Sequence, residues 1–196
     1  MKKLLLFALT TLLFLSCKKG HLQRAVDDGP VTLPAMRSID LGNAQVRYLQ
    51  AQTLDLNGDG AIDFVFKLQL VGDPQLGIDR RQLCVQSGVQ RNLLLNEQDE
   101  TPVFGSGITL PLQQPGFHWW EVGHTVLAEK IVGSNESWWD GIWKTAQHRF
   151  LAVQVQQGAD RYAGWVELSI DQQSETMTLH RAALNLSPGV PIVTGR

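Results

Sequence analysis

Apolar and polar residues alternate along much of the chain. The clearest run covers residues 62–70, where Ile62, Phe64, Phe66 and two leucines occupy every second position. Because successive side chains of a β-strand point to opposite faces of a sheet, this pattern predicts a strand with one buried face. The same alternation predicts strands within residues 151–156, 162–170 and 176–181, with weaker candidates at 44–53, 82–86, 92–96 and 125–131.

Turn-forming residues separate these runs, for example at Gly72-Asp73-Pro74 and Pro115-Gly116. Many short strands with regular turn signals are typical of antiparallel sandwiches and barrels. We therefore expect an all-β fold, an antiparallel β-sandwich or barrel of about eight to ten strands. Within residues 137–145, three tryptophans and Ile142 recur at three- and four-residue spacing, which predicts at most one short helix there.

The N-terminus has a different pattern. Met1-Lys2-Lys3 precedes an apolar run that Ser16 and Cys17 end. A basic start, an apolar stretch of about a dozen residues and a small residue before the cut are typical of a secretory signal peptide. Cysteine directly after Phe14-Leu15-Ser16 resembles the lipobox of bacterial lipoproteins, which implies cleavage before Cys17 and acylation of its thiol. An ordinary signal peptide that contains a cysteine is the alternative.

These patterns divide the chain into a lipoprotein signal peptide over residues 1–16, a lipidated cysteine with a flexible tether over residues 17–34, and a single β domain over residues 35–196. Several acyl chains hold a protein stably on a membrane. We therefore expect an exported protein, anchored through Cys17 to the cell envelope, in the outer membrane of a Gram-negative bacterium. With 43% hydrophobic residues and a net charge of −2, the chain has no basic patch that argues for nucleic acid.

The densest cluster of oxygen-bearing side chains lies in residues 55–63, Asp-Leu-Asn-Gly-Asp-Gly-Ala-Ile-Asp. These side chains recur at the first, third, fifth and ninth positions, and a glycine stands sixth, where a calcium loop makes its sharp turn. Ca²⁺ takes about six to eight oxygen ligands, so the spacing predicts a structural calcium site. The expected ligands are the side chains of Asp55, Asn57, Asp59 and Asp63 and the main-chain carbonyl of Ala61.

This loop departs from an EF-hand, because Phe66 stands where that motif has a bidentate glutamate and because a strand follows directly. It resembles instead the strand-associated Asp-x-Asn-x-Asp-Gly-x-x-Asp loops of many secreted bacterial proteins. A polar turn without a metal ion is the alternative, since Asn-Gly and Asp-Gly also form tight turns between strands. The additional Asp55 and Asp63 at ligand spacing favour calcium.

A second resemblance covers the C-terminal part of the chain. Tyr162-Ala163-Gly164-Trp165 and Pro188-Gly189-Val190-Pro191-Ile192 resemble motifs of uncharacterised secreted lipoproteins of Bacteroidota and some other bacteria. In those proteins the first motif reads Tyr-Gly-Trp, so Ala163 is an insertion here. The resemblance implies a secreted protein and brings no activity with it.

Six tryptophans raise a second functional hypothesis, because sugar rings stack on exposed aromatic faces. Neighbouring residues in a strand point to opposite faces, so at most one of two adjacent indoles lines a given surface. Packing in the core is the alternative. The candidate platform residues are Trp119, Trp120, Trp138, Trp139 and Trp143.

The remaining candidate residues match no catalytic pattern. The histidines lack the short paired spacing of zinc sites, and Ser106 lacks the Gly-x-Ser-x-Gly frame of many serine hydrolases. We therefore expect a lipid-anchored cell-envelope protein that binds a structural calcium ion and is not an enzyme, with a molecular role that the sequence leaves open. A carbohydrate-binding or glycan-active accessory protein that uses surface tryptophans is the alternative.

Overall fold

The computed structural model describes residues 34–196, so the predicted signal peptide, Cys17 and nearly all of the predicted tether lie outside the described residues. This part of the chain contains no helix, and hence none that is long and apolar enough to cross a membrane. The strands are β1 (Met36–Val46), β2 (Gln52–Leu54), β3 (Phe64–Asp73), β4 (Ile78–Ser87), β5 (Arg91–Asn96), β6 (Thr109–Leu110), β7 (Phe117–Trp120), β8 (Thr125–Val132), β9 (Ser137–Asp140), β10 (Arg149–Gln157), β11 (Asp160–Asp171), β12 (Thr176–Asn185) and β13 (Ile192–Val193).

Two large antiparallel sheets pack face to face as a sandwich. One has six strands in the order β1-β12-β11-β10-β5-β7, and the other has five in the order β2-β3-β4-β8-β9. Strands β6 and β13 form a separate pair of only two residues each. Both large sheets have open edges. Of the two predicted architectures, sandwich and barrel, the described residues therefore form the sandwich.

The main hydrophobic core lies between the two large sheets. Phe64 and Phe66 of β3 are fully buried and belong to the same cluster as Val166 and Leu168 of β11. Each large apolar side chain buried in this way stabilises the fold by about 1.5–3 kcal/mol. These residues come from the alternating runs, so the all-β prediction is confirmed. Because Phe64 is held in the core, the position of Asp63, the residue before it, is fixed as well.

A second, smaller core covers the outer face of the six-stranded sheet. Phe150, Trp165 and Ile192 are almost completely buried in it. The rings of Phe150 and Trp165 meet edge to face, with centroids 5.2 Å apart. The Tyr-Ala-Gly-Trp strand and the Pro-Gly-x-Pro-Ile segment, which lie far apart in the sequence, therefore meet in one layer.

Residues 137–145, where the sequence allowed at most one short helix, form none. Ser137–Asp140 forms β9, which pairs with β8 at the edge of the five-stranded sheet. Gly141 follows with a φ of 96°, a conformation that glycine adopts readily and that ends the strand. The helix-like spacing arises because the strand turns Trp139 toward the main core and the next turn brings Trp143 into the same core.

Candidate functional site

The loop of residues 55–63 connects β2 to β3 and begins and ends at buried residues. Leu54 and Phe64 pair directly across the two strands, and both are buried. Leu56, inside the loop, is also fully buried, whereas residues 58–62 are exposed. The core therefore fixes both ends of the loop and leaves its centre open to solvent.

The loop's own main chain orients its polar side chains. Asp55 accepts hydrogen bonds from two glycine amides, through Oδ1 at 2.6 Å and Oδ2 at 2.9 Å. Asn57 Oδ1 accepts the amide of Asp59 at 3.1 Å, and Asp59 Oδ1 accepts the amide of Ala61 at 2.8 Å. A carboxylate oxygen has two lone pairs, and each of these amide hydrogen bonds uses one of them. The second lone pair of each oxygen can therefore bind a cation.

Asp63 has different surroundings from the other three polar residues. It is fully buried, and its Oδ2 accepts the amide hydrogens of Leu56 at 2.5 Å and of Asn57 at 3.4 Å. Its Oδ1 accepts a hydrogen bond from Nε of Arg91, whose side chain is 8% exposed. Asp63 therefore closes the base of the loop through a buried ion pair.

Arg91 also joins the loop to the opposite sheet. It belongs to β5, and its Nη1 lies 3.3 Å from the carbonyl oxygen of Gln156 in β10. Its Nη2 lies 3.5 Å from Oδ2 of Asp59. Nη1 of Arg37 donates to the main-chain carbonyl of Asn57 at 2.5 Å. Arg91 therefore pairs with Asp63 and approaches Asp59, while the guanidinium of Arg37 contacts the main chain of the loop.

Asp59 is the exposed carboxylate of this group. Hydrogen bonds from the amide of Ala61 and the side chain of Asn57 hold the pKa of its carboxyl below the usual value, and the charge of Arg91 adds to the effect. The Asp59 side chain is 42% exposed. An ionised, accessible carboxylate is the kind of ligand that a hard cation binds.

The residues fit calcium in part. Asp55, Asn57 and Asp59 present accessible oxygens, whereas the oxygens of Asp63 already accept bonds from Arg91 and two amides. Among residues 34–196, no three or more His, Cys, Asp or Glu side chains are grouped so that they could hold a metal ion. The calcium site therefore stays a prediction, with Asp63 engaged in another contact.

Three of the five candidate tryptophans pack against the cores. Nε1 of Trp119 donates to the carbonyl of Leu112 at 3.0 Å, and its ring packs on the second core. Trp139 packs on the main core, and Trp143 is fully buried, with its Nε1 donating to the carbonyl of Thr101 at 2.7 Å. Trp143 is therefore part of the packed interior, and Trp119 and Trp139 are partly buried against it.

The other two tryptophans face solvent. Trp120 is 62% exposed at the end of edge strand β7, and Trp138 is 44% exposed on edge strand β9. Each is adjacent in sequence to an indole that packs on a core from the other face of the strand, as the alternation of a strand requires. Trp120 and Trp138 are therefore the two most exposed indoles of the five, and Trp119 is partly buried.

Sequence reasoning missed a polar cluster on β11 and β12. His180 lies between Ser169 and Asn43, with Nε2 2.8 Å from Oγ and Nδ1 2.7 Å from Oδ1. The ring of His148 stacks on His180 with centroids 4.2 Å apart, and its Nδ1 lies 2.8 Å from Oε1 of Glu167. The period-two pattern places Glu167 and Ser169 on one face, but nothing in it indicates their partners on other strands.

This cluster has the order of a nucleophile, a base and an orienting amide, yet it is closed to a substrate. Ser169 is only 9% exposed, and its Oγ accepts the amide of His148 at 2.9 Å. Burial lowers the pKa of His180, and the charge of His148 lowers it further. The cluster therefore acts as a hydrogen-bonded brace across three strands.

Comparisons of the chain with protein-family models, with curated proteins and with solved structures gave no match. The resemblances to secreted bacterial lipoproteins therefore rest on the short motifs in which they were seen. Functional proposals for this chain depend on its own geometry and charge.

Proposed function

We propose that this chain is a lipid-anchored protein of the bacterial cell envelope whose β domain binds a structural calcium ion in residues 55–63. The observation that carries the proposal is the set of main-chain amide hydrogen bonds that orient oxygens of Asp55, Asn57 and Asp59 within one exposed loop. The ion stabilises the connection between β2 and β3 and takes no part in a reaction.

The ligands of this site are the side-chain oxygens of Asp55, Asn57 and Asp59 and the main-chain carbonyl of Ala61, with water completing the shell. Arg91 and Arg37 reduce the net charge near the ion, which weakens the attraction. Extracellular calcium modules bind with dissociation constants of about 10⁻⁴–10⁻³ M, and a site of this charge belongs in that range.

Thermal unfolding of the full chain with calcium or with a chelator tests the proposal. At a calcium concentration about ten times Kd, binding to the folded state alone raises the melting temperature by about 3–6 °C. The double variant Asp55→Asn, Asp59→Asn removes two charged ligands and abolishes the shift. An equal melting temperature with calcium and with chelator in the wild type contradicts the proposal.

Asp171→Asn is the matched control for that experiment. Asp171 also accepts hydrogen bonds within an exposed turn, from the amide of Gln173 at 2.9 Å and from the hydroxyl of Ser174 at 2.5 Å, but it lies outside the loop. This variant is expected to keep the full calcium shift, so a loss there indicates a general effect of removing acidic groups.

A carbohydrate-binding protein is the second candidate function, and the exposure of Trp120 and Trp138 favours it. Large aromatic residues on a surface often mark a binding site. A glycan array tests this function directly: it predicts bound glycans that Trp→Ala variants lose, and an array without bound glycans contradicts it.

A further inference from the structure

A cleft opens beside Trp120 at the edge of the sandwich. It has a volume of about 500 Å³ and is lined by residues of β5 and β7, the loop after β5 and the segment that leads into β8. Sites for small ligands commonly have volumes of about 300–1,000 Å³. The cleft therefore has the size of a ligand site, and an exposed indole forms part of its wall.

The aromatic rings of the cleft come from one side of β7. Trp120 and His118 are two residues apart, so they lie on the same side of the strand, where they pair with Leu93 and Leu95 of β5. Leu93 and Leu95 belong to the core between the sheets, which identifies this as the inner side of β7. The Trp120 indole therefore lies at the open edge of the main core and presents a flat apolar face there.

Polar side chains surround this aromatic face. Glu121 is held in place because its Oε2 accepts the amide hydrogen of Gln90 at 2.6 Å. Asp99 projects from the loop after β5, with Oδ1 3.6 Å from Nε2 of His118, and its side chain is 82% exposed. An indole face beside hydrogen-bonding carboxylates and imidazoles suits a sugar ring, which has apolar C–H faces and a polar rim.

The charge of the cleft restricts the class of sugar. Asp99 and Glu121 line it together with His118 and His124, and no Lys or Arg is among the described residues that line it. The flanking residues of the same loop include the acids Glu97 and Glu100. A site of this charge repels uronic acids and sulfated sugars and attracts ammonium groups.

We propose that this cleft binds an oligosaccharide of amino sugars, with one ring stacked on Trp120 and its amino groups directed to Asp99 and Glu121. The proposal rests on the carbohydrate-binding function and names the site and the ligand class for it. Stacking supplies contact area, and an ammonium group near the indole face adds a cation–π attraction. Trp138, on the opposite sheet, has no part in this site.

Isothermal titration of the full chain with short oligomers of glucosamine, glucose and galacturonic acid tests the proposal. We expect glucosamine oligomers to bind most tightly and galacturonic acid oligomers to give no heat. Trp120→Ala weakens binding about tenfold, the loss expected when one stacked ring is removed. Glu121→Gln reduces the preference for glucosamine over glucose, because only Asp99 then remains as an acidic partner.

Trp138→Ala is the matched control, because it removes another exposed indole from a different edge strand. If Trp138→Ala weakens binding and Trp120→Ala does not, the cleft is the wrong site although the chain still binds carbohydrate. Tighter binding of galacturonic acid oligomers overturns the ligand class. If none of the three oligomers binds the wild type, this proposal is wrong, and the glycan array then decides the broader function separately.

Discussion

At the scale of single residues, burial separates acids that the sequence presents as equivalent. Asp63 is fully buried and paired with Arg91, whereas the Asp59 side chain is 42% exposed and bonded to its own loop. An ionised carboxylate without water depends on its partner, and an exposed one is solvated whether or not a cation is present. The same residue type therefore holds the loop together at one position and offers a ligand at the other.

This difference predicts the effect of neutralising each acid. Asp63→Asn leaves the Arg91 guanidinium buried without its counter-charge, which costs about 3–5 kcal/mol of unfolding free energy. Asp59→Asn is expected to leave the stability without calcium nearly unchanged. Urea denaturation of both variants in the presence of chelator measures the two effects, and similar losses of stability in both contradict the assignment.

At the scale of elements, the brace on β11 and β12 makes stability depend on pH. Burial, together with the nearby charge of His148, lowers the pKa of His180 from its usual 6.5. Burial alone raises the pKa of Glu167, but the hydrogen bonds from Arg181 and His148 outweigh it and hold that pKa below the usual 4.5. In both cases the unfolded chain takes up a proton at a higher pH than the folded chain does.

The free energy of unfolding therefore falls as the medium becomes more acidic. The contribution of His180 is lost as the pH falls below about 6.5, and that of Glu167 is lost below about 4.5. His180→Asn is expected to flatten the decline between pH 6.5 and 5. Melting temperatures over this pH range measure the decline. An equal slope of melting temperature against pH in wild type and His180→Asn would falsify the contribution assigned to His180.

The elements also show how far the sequence predicts this fold. Strands β3, β10, β11 and β12 follow directly from alternation, because one face of each lies on the main core. Strands β6 and β13 have only two residues each, too few for a period to be visible. The helix at 137–145 was predicted because indoles on a strand and on the following turn reproduce a helical spacing.

The candidate site was predictable only within the loop itself. The spacing identified the acids, but Arg91 lies 28 residues beyond Asp63, and no local pattern connects the two. A prediction from the loop residues alone leaves out the guanidinium groups and therefore overestimates the net negative charge around the loop. In the same way, alternation predicted that at most one indole of each adjacent pair lines a given surface. Glu121 follows Trp120 directly in the sequence, but Asp99 comes close to them only through the pairing of β5 with β7.

At the scale of the whole molecule, the anchor and the domain make separable predictions. If Cys17 carries the acyl chains, Cys17→Ser moves the protein from the membrane fraction to the soluble fraction, because the acyl chains on that thiol supply the membrane affinity. Cys84→Ala is the control: Cys84 is buried, and burial raises the pKa of its thiol to about 11. Fractionation with lipid labelling measures both variants, and a Cys17→Ser protein that stays with the membrane contradicts the anchor.

Direct titration of calcium into the full chain tests the calcium site in residues 55–63 most closely. We expect one ion per chain, with a dissociation constant of about 10⁻⁴–10⁻³ M. Asp55→Asn with Asp59→Asn is expected to abolish binding, and Asp171→Asn is expected to leave it unchanged. A titration that detects no bound calcium at millimolar concentration in the wild type contradicts the claim, and residues 55–63 are then a polar turn held by Arg91.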